Sequence, residues 1–374
     1  MLNAAGSRNV ISFAAGLPDP KLFPVEAIAE AAAWVLKSSG SAALQYSSSE
    51  GFLPLRRHVA ENILSKRGIS TTAEHVLITS GSQQGLDLVA KVFIDQGDPV
   101  FMESPAYLSA IQAFELCQPQ FVGIPIGPEG LDLDALDQNR LTYPQAKLLY
   151  VVPNFQNPTG LCYSEWVRKS LAARLEGGRL FLVEDDPYRE LRFEGEDLPP
   201  INTYMEHKGV LMGTFSKVLS PGLRMGWIHA APSIIRHLVV AKQATDLCSS
   251  DLTQRILFEL LTQFNLDDHI DMLRQEYRKK RDLMLHWIQI LFPAGTGVTR
   301  PQGGMFIWMT LPGRVSADKL LAETLRHGVM FAPGRSFYPG PAEEHTLRLN
   351  FTHAEDDAME KGLRIMAEAL QRLL

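Results

Sequence analysis

The sequence predicts a three-layer α/β domain with a mostly parallel sheet, followed by a smaller α+β domain. Short apolar segments of strand character alternate with helical stretches over residues 74–230. Near-continuous apolar strands suit a sheet that is covered on both faces, and alternation with helices is typical of parallel βαβ units. After about Leu252 the pattern changes to a long helix and then to a compact α+β pattern. We therefore expect a large domain over residues 21–265 and a small domain over 1–20 and 266–374.

The elements follow in order along the chain. In the large domain we expect strands at residues 75–79, 99–102, 120–126, 148–152, 180–184, 210–214 and 225–230. A long helix is expected at 253–291, across the limit between the two domains. In the small domain we then expect a strand at 305–309, a helix at 317–327, a strand at 346–351 and a closing helix at 356–374. Functional residues are then expected in the loops at the carboxyl ends of the strands.

Composition restricts the classes of function. The chain has 374 residues, of which 45% are hydrophobic, and a net charge of −6, so its overall field gives no reason to expect a nucleic-acid partner. Neither a signal peptide nor a membrane span is visible, and the three cysteines indicate neither a disulfide framework nor a zinc site. The histidines show no metal-ligand spacing. These features favour a cytoplasmic protein without a metal site.

A turn of small residues follows the first expected strand. The segment TSGSQQG, residues 79–85, stands between that strand and a helix with apolar Leu86, Val89 and Phe93 on one side. The free N–H groups and the dipole at a helix start favour an anion, and phosphate is a common one. An ordinary strand–helix turn is the alternative. The segment matches neither a GxGxxG nor a Walker A sequence, so a dinucleotide or nucleoside triphosphate is not indicated.

Three further segments carry polar side chains after apolar strands. Residues 154–160 read NFQNPTG, and the Asn157 amide can donate to a phenolate oxygen. Residues 184–188 read EDDPY, where a carboxylate at a strand end could keep a pyridine nitrogen protonated, although a helix cap is also possible. Lys217 follows the strand at 210–214, and Arg224 lies seven residues further on, where its guanidinium offers a fork for a dianion.

The four segments, in this order, resemble the fold type I pyridoxal-phosphate enzymes of the class I/II aminotransferase family. The resemblance extends from Gly16 to the C-terminus and is closest to the 2-aminoadipate, kynurenine and aromatic aminotransferases. The segments that match this branch best are FAAGLPDP at 13–20, LQYSSSEG at 44–51, GTFSKVLSPGLRMGW at 213–227 and LRLNF at 347–351.

The resemblance implies pyridoxal 5′-phosphate as cofactor and assigns the residues around its ring. Lys217 would form the Schiff base and later shuttle the proton. Asp185 would pair with the pyridine N–H, Asn157 and Tyr188 would contact the phenolic oxygen, and Tyr107 would stack on the ring. The residues implied for the phosphate are Ser82, Gln83, Thr214, Ser216 and Arg224.

The resemblance also implies how substrate and a second subunit are bound. Arg348 would clamp the α-carboxylate of an amino acid or 2-oxo acid substrate, with Gly16 and Asn157 lining that side of the pocket. Tyr46 would reach the phosphate of the neighbouring subunit's cofactor, which implies a homodimer with shared active sites.

Transamination is the expected activity, and two alternatives remain. The same cofactor could serve a C–S lyase or a decarboxylase, because fold and cofactor motifs do not fix the reaction. The chain could also be the effector module of a winged-helix transcription regulator, although such a regulator carries a DNA-binding domain before this module. Only twelve residues precede Phe13, fewer than in this branch, so we expect side-chain specificity to differ more than cofactor chemistry. We expect aromatic, aliphatic or aminoadipate-like substrates.

Overall fold

The computed structural model describes residues 10–206 and 209–374 of the chain. The strands are β1 (Ile11–Ser12), β2 (Val76–Thr79), β3 (Pro99–Ser104), β4 (Gln120–Gly127), β5 (Gly130–Leu131), β6 (Leu148–Val151), β7 (Phe181–Asp185), β8 (Gly209–Thr214), β9 (Gly226–His229), β10 (Gly297–Val298), β11 (Phe306–Thr310), β12 (Val329–Met330), β13 (Ala332–Pro333) and β14 (Thr346–Asn350). The α-helices are α1 (Val25–Ala43), α2 (Leu53–His58), α3 (Ser82–Phe93), α4 (Leu108–Glu115), α5 (Leu133–Thr142), α6 (Glu165–Leu175), α7 (Pro232–Thr245), α8 (Asp251–Gln263), α9 (Leu266–Leu291), α10 (Ala317–Arg326) and α11 (Asp356–Leu373).

Eight strands form the central sheet in the order β2-β9-β8-β7-β6-β3-β4-β5. The five strands from β8 to β4 run parallel, whereas β9 is antiparallel to both of its neighbours and β5 is antiparallel to β4. The prediction of a mostly parallel sheet is therefore confirmed. Because β2 runs in the same direction as β8, the carboxyl ends of β2, β3, β4, β6, β7 and β8 lie at one edge of the sheet.

Helices cover both faces of this sheet, as the apolar strands predicted. In β6, Leu148 and Tyr150 belong to one hydrophobic cluster, and the alternate residues Leu149 and Val151 belong to another. The first cluster includes residues of α3 and α7, and the second includes residues of α5 and α6. Strand β6 thus buries both rows of its side chains, as expected at the centre of three layers.

The C-terminal part carries a separate antiparallel sheet in the order β10-β11-β14-β13. Its strand β14 pairs with β11 over five residues, and the short β1 pairs in parallel with β12. The helices α10 and α11 pack against this part of the chain. The expected strands and helices after residue 305 agree with the structure within one residue at each end, and the domain limits themselves stay a prediction.

One predicted helix is interrupted in the structure, so its prediction as a single helix is wrong. The helix predicted over residues 253–291 is two helices, α8 and α9, which are separated at Phe264 and Asn265. The Asn265 side chain accepts a hydrogen bond from the backbone N–H of Asp268 at 3.3 Å, and so caps the start of α9. Apolar periodicity continues through this break and therefore conceals it. Among the residues described, none of the helices is long and apolar enough to cross a membrane.

Candidate active site

The candidate site lies at the edge of the central sheet where the carboxyl ends of six strands, β2, β3, β4, β6, β7 and β8, are found. The loops after β3, β6, β7 and β8 meet there because these strands are parallel. These loops carry Tyr107, Asn157 and Lys217, and Asp185 is the last residue of β7. The small C-terminal sheet contributes Arg348 from β14. Most of the site residues predicted from the sequence therefore reach one cleft between the two sheets.

Lys217 is partly accessible from the cleft and lies against the N-terminal segment. Its Nζ donates a hydrogen bond to the carbonyl oxygen of Gly16 at 2.9 Å. Burial, together with the positive charges of Arg348 and Arg224, lowers the pKa of Lys217 from its ordinary value to about 8. Roughly a tenth of such lysines are deprotonated at pH 7, far more than at the ordinary pKa, and the free amine can act as a nucleophile.

Asp185 ends β7 and is 1% exposed. Its Oδ2 accepts a hydrogen bond from the Tyr150 hydroxyl at 2.8 Å, whereas its buried Oδ1 has no partner among the described residues. Burial raises the pKa of Asp185 to about 7, against the hydrogen bond from Tyr150. A buried acceptor without a donor is costly, so this oxygen is suited to a donor that arrives with a ligand.

The adjacent acid, Asp186, has a different environment. Its Oδ2 lies 3.2 Å from Nη1 of Arg67, and its Oδ1 accepts from the Asn154 amide at 2.8 Å. Arg67 also pairs with Glu190 and lies over the ring of Trp227. Both oxygens of Asp186 are therefore used within the protein. Of the two aspartates in the EDDPY segment, Asp185 is the one left free to bind a ligand.

The turn before α3 and the loop after β8 face each other across a short gap. Gly81 has a φ of +79° and no Cβ, and a Cβ there would lie 2.5 Å from Nη2 of Arg224. Arg224 donates to the Ser80 carbonyl oxygen at 3.4 Å. A Cβ on Gly226 would meet the backbone N of Ser82 at 2.8 Å. Glycine at these positions lets a guanidinium approach the N-terminus of a helix, where an anion is favoured.

The hydroxyl groups predicted beside this turn are also close together. Thr214 Oγ1 lies 3.0 Å from Ser216 Oγ, and both side chains are largely buried. Gln83 is on the first turn of α3, and its side-chain amide donates to the Ser109 carbonyl oxygen at 3.3 Å. Ser82 is the first residue of that helix. Together with Arg224, these groups provide the donors that a phosphate dianion requires.

Asn157 connects the two sides of the cleft. Its amide nitrogen donates to the Tyr188 hydroxyl at 3.2 Å, and its amide oxygen accepts from Nη1 of Arg348 at 2.7 Å. Burial raises the pKa of Tyr188 and of Tyr107, so both phenols stay protonated at neutral pH. Asn157 and Tyr188 are thus in contact, and their shared role at one oxygen of the cofactor stays a prediction.

Arg348 is held between aromatic rings and the N-terminal segment. Its guanidinium carbon lies 4.1 Å from the ring centre of Phe306 and 4.8 Å from that of Phe337. Its Nη2 donates to the Ala14 carbonyl oxygen at 2.5 Å, and its Nε has no partner among the described groups. Burial lowers the pKa of Arg348 to about 10. It carries no carboxylate partner in these contacts, so a charged anionic ligand would complete its environment.

Of the two remaining predicted residues, Gly16 lies in the cleft and Tyr46 does not. Gly16 lies in the cleft, where its carbonyl oxygen binds Lys217 and a Cβ would lie 2.9 Å from the Phe306 ring. Tyr46 is 79% exposed, and none of the side-chain hydrogen bonds within the described ranges joins it to the cleft. The structure brings together all the predicted site residues except Tyr46.

The sequence did not single out several residues that shape the site. Tyr150 holds Asp185 from within an apolar strand, where one hydroxyl gives no signal. Phe306 and Phe337 flank Arg348 but appear in the sequence as ordinary core residues. Glu103 and Gln156 are fully buried next to the loops that carry Tyr107 and Asn157. A carboxylate at the end of an apolar strand was the available signal for Glu103.

Comparisons with known proteins agree with this geometry. The family model described as aminotransferase class I and II matches residues 8–365. The chain is 44% identical to a 2-aminoadipate transaminase from Thermus thermophilus, over 98% of this chain and 91% of that protein. It is 39% identical to aromatic-amino-acid aminotransferase 1 from Thermococcus litoralis, over 99% of this chain and 90% of that protein.

A solved structure is similar over nearly the whole chain. The α-aminoadipate aminotransferase from Thermus thermophilus, complexed with N-(5′-phosphopyridoxyl)-L-leucine, has a TM-score of 0.93 and 43% sequence identity. The similarity covers 98% of this chain and 93% of that one. The fold predicted from the sequence, fold type I with a large mostly parallel sheet, is therefore confirmed.

Proposed function

The chain belongs to the class I and II aminotransferases, and from this premise we propose that it moves an amino group from an L-amino acid to a 2-oxo acid with pyridoxal 5′-phosphate held on Lys217. The proposal is supported mainly by two side chains, Lys217 and Asp185, that lie at the same edge of the sheet. One is an amine whose pKa is lowered to about 8, and the other is a buried carboxylate with an unpartnered oxygen.

The residues present fit this cofactor. The unpartnered Oδ1 of Asp185 would accept a hydrogen bond from the pyridine N–H, which removes the cost of burying it alone. The phosphate would be bound by Ser82, Gln83, Thr214, Ser216 and Arg224. When bound, the cofactor supplies an aldehyde that condenses with amines and a ring that takes up the electron pair left at Cα when its proton is removed.

The protein's own groups would provide orientation and proton transfer. Lys217 Nζ would accept the proton from the substrate Cα and return it on the other side of the exchange. Asn157 and Tyr188 would donate to the phenolic oxygen of the cofactor, and Tyr107 would stack on its ring. Arg348 would bind the α-carboxylate through two parallel hydrogen bonds, and so fix the Cα–H bond relative to Lys217.

We propose broad specificity for aromatic, aliphatic or 2-aminoadipate-like substrates, with 2-oxoglutarate as one acceptor. Support comes from the names of the similar enzymes, which include both aromatic and 2-aminoadipate aminotransferases. The sequence indicates no clear second cationic group for an acidic side chain.

We further propose a homodimer in the cytoplasm, with residues 21–265 as the cofactor-binding domain. Exposure of Tyr46 in the single chain is what a residue that serves a neighbouring active site requires. The three cysteines are free thiols, which is consistent with a reducing compartment.

Reduction of the cofactor-loaded protein with borohydride would test the cofactor assignment. Peptide mass spectrometry should find the phosphopyridoxyl group on Lys217. Lys242 and Lys280 are internal controls, because both are buried but paired with Asp246 and Asp19. A protein that gains no visible absorbance with pyridoxal phosphate, or carries the label elsewhere, would overturn the proposal.

A panel of amino acids with 2-oxoglutarate would test the reaction. We expect glutamate to form together with the matching 2-oxo acid, and Lys217→Ala to abolish this exchange. Release of ammonia and pyruvate from cystathionine without any oxo acid would instead indicate a C–S lyase.

A further inference from the structure

Glu103 is a buried carboxylate that none of the proposed functions uses. It is the penultimate residue of β3 and is 0% exposed. Its Oε1 accepts from the backbone N–H of Val152 at 3.0 Å and from the Tyr163 hydroxyl at 2.7 Å. Its Oε2 accepts from the Gln156 amide at 2.9 Å. These partners are all uncharged, and burial raises the pKa of Glu103 to about 8.

Gln156 has every hydrogen-bonding position of its side-chain amide filled. Its Nε2 donates to Glu103 Oε2 and, at 2.8 Å, to the Pro105 carbonyl oxygen. Its Oε1 accepts from the backbone N–H of Thr159 at 2.9 Å and from the Thr159 hydroxyl at 2.6 Å. An amide with two donors and two acceptor sites in use has one orientation, so Gln156 is fixed.

These contacts join the two loops that carry ring-contacting residues. Pro105 lies two residues before Tyr107, and Gln156 directly precedes Asn157. Asn157 in turn contacts both Tyr188 and Arg348. A displacement of Gln156 by a few tenths of an ångström would therefore move the donor to the phenolic oxygen and a partner of the carboxylate-binding arginine.

We propose that Glu103 and Gln156 form a brace that positions Asn157 and Tyr107 for the amino transfer. The inference rests on the proposed function, since it concerns the same cleft. Glu103 acts through Gln156 and touches neither cofactor nor substrate, so it is a positioning residue. Burying a carboxyl group without a cation is costly, but an apolar side chain there would leave the donors of Val152, Tyr163 and Gln156 unpaired and could not orient Gln156.

Glu103→Gln is the primary test, because it keeps the shape and removes one acceptor. Whichever way the new amide points, its NH₂ group meets a donor, either Gln156 Nε2 or the Val152 N–H. We expect cofactor to bind about tenfold more weakly, because a displaced Asn157 would weaken roughly one hydrogen bond to the phenolic oxygen. The pH midpoint of the cofactor's visible band should rise, because a displaced Asn157 draws less charge from the phenolic oxygen.

Glu184→Gln is the matched control. Glu184 is also 0% exposed and lies near the end of β7, which β6 separates from β3. It accepts from the backbone N–H of Ile201, the backbone N–H of Asn202 and the Asn202 amide. Those donors lie away from the cleft. We expect both variants to lower the thermal midpoint of the cofactor-free protein, and only Glu103→Gln to change cofactor affinity and the pH midpoint.

A second variant keeps the test decisive if Glu103→Gln does not fold. Gln156→Asn retains an amide but is one methylene too short to reach both Glu103 and Pro105, and it should give the same two changes. Wild-type affinity and pH midpoint in the folded variants, or equal changes in Glu184→Gln, would overturn the inference. Failure of the wild type to bind pyridoxal phosphate would instead overturn the proposed function.

Discussion

The Asp185 carboxyl group is buried and accepts one hydrogen bond, from the Tyr150 hydroxyl to Oδ2, while Oδ1 has no partner among the described residues. The group has a pKa of about 7 in the folded protein, against an ordinary value of 3.8. Between these two pH values the folded state binds more protons than the unfolded state does, so the free energy of unfolding decreases as pH rises. Above about pH 7 the folded protein without cofactor carries the full cost of a buried charge.

Asp185→Asn should therefore stabilise the cofactor-free protein. We expect its thermal midpoint to exceed that of wild type at pH 8 by several degrees, and the difference to shrink as pH falls toward 5. Calorimetry from pH 5 to 8 measures this. Asp186→Asn is the control, and it should lower the midpoint because it leaves buried Arg67 with one partner fewer. A destabilised Asp185→Asn at pH 8 would contradict the assigned environment.

Arg348→Lys tests whether the arginine binds substrate carboxylate. A lysine cannot form two parallel hydrogen bonds and loses the stacking between Phe306 and Phe337. We expect kcat/KM for an amino acid to fall about a hundredfold, or about 3 kcal/mol. The matching amine without a carboxylate should react equally slowly with both enzymes. An equal loss for amine and amino acid would indicate a general disturbance of the cleft.

The residues that could be predicted differ in kind from those that could not. Lys217, Asp185 and Arg348 stand in segments with distinctive neighbours, and their types match their chemistry. Glu103 and Tyr150 act on other protein groups, so their roles depend on which strands are adjacent. Strand adjacency is a property of the sheet order, and a single sequence without pairing information does not specify it.

At the scale of elements, the apolar patterns located the strands well but not their directions. Seven expected strands of the central sheet agree with the structure within two residues at each end. Strand β9 is antiparallel to β8, and nothing in its apolar residues distinguishes parallel from antiparallel pairing. This reversal places Gly226 at the same sheet edge as Thr79 and Thr214.

The close approach of β9 to the start of α3 gives a prediction. In Gly226→Ala the added methyl would lie 2.8 Å from the Ser82 nitrogen and must displace the turn that presents the helix N-terminus. We expect cofactor affinity, measured by equilibrium dialysis, to weaken about tenfold, or about 1.4 kcal/mol. Gly222→Ala is the control, since its nearest heavy atom lies at 3.5 Å. Unchanged affinity in Gly226→Ala would exclude this turn from the phosphate site.

At the scale of the whole molecule, the cleft is assembled from segments distant along the chain. Residues 13–16 lie between the two sheets, where the Gly16 carbonyl binds Lys217 and the Ala14 carbonyl binds Arg348. Phe13 is also held by the backbone of Met330 and Asn350. When Arg348 binds a carboxylate, a shift of its guanidinium would move residues 14–16 and with them the Gly16 carbonyl that binds Lys217. Substrate binding would therefore change the position of the Lys217 amine.

In the proposed dimer, Tyr46 would reach the phosphate of the neighbouring subunit's cofactor. Because this side chain is 79% exposed, Tyr46→Ala should leave the stability of one subunit unchanged but weaken cofactor binding about tenfold by removing a donor to the neighbour's phosphate. Mixing this variant with Lys217→Ala after mild dissociation would produce hybrid dimers. In each hybrid one site combines a native Lys217 with a native Tyr46, and the other site has neither.

Hybrids should thus recover wild-type cofactor affinity and kcat at half of their sites, although neither parent has a native site. Titration of activity against cofactor concentration measures this recovery, and a mixture kept from exchanging subunits is the control. If Tyr46 served its own subunit, the Lys217→Ala chain would keep the only intact Tyr46 and the other chain the only intact Lys217. No site would then be native, and mixing would restore nothing.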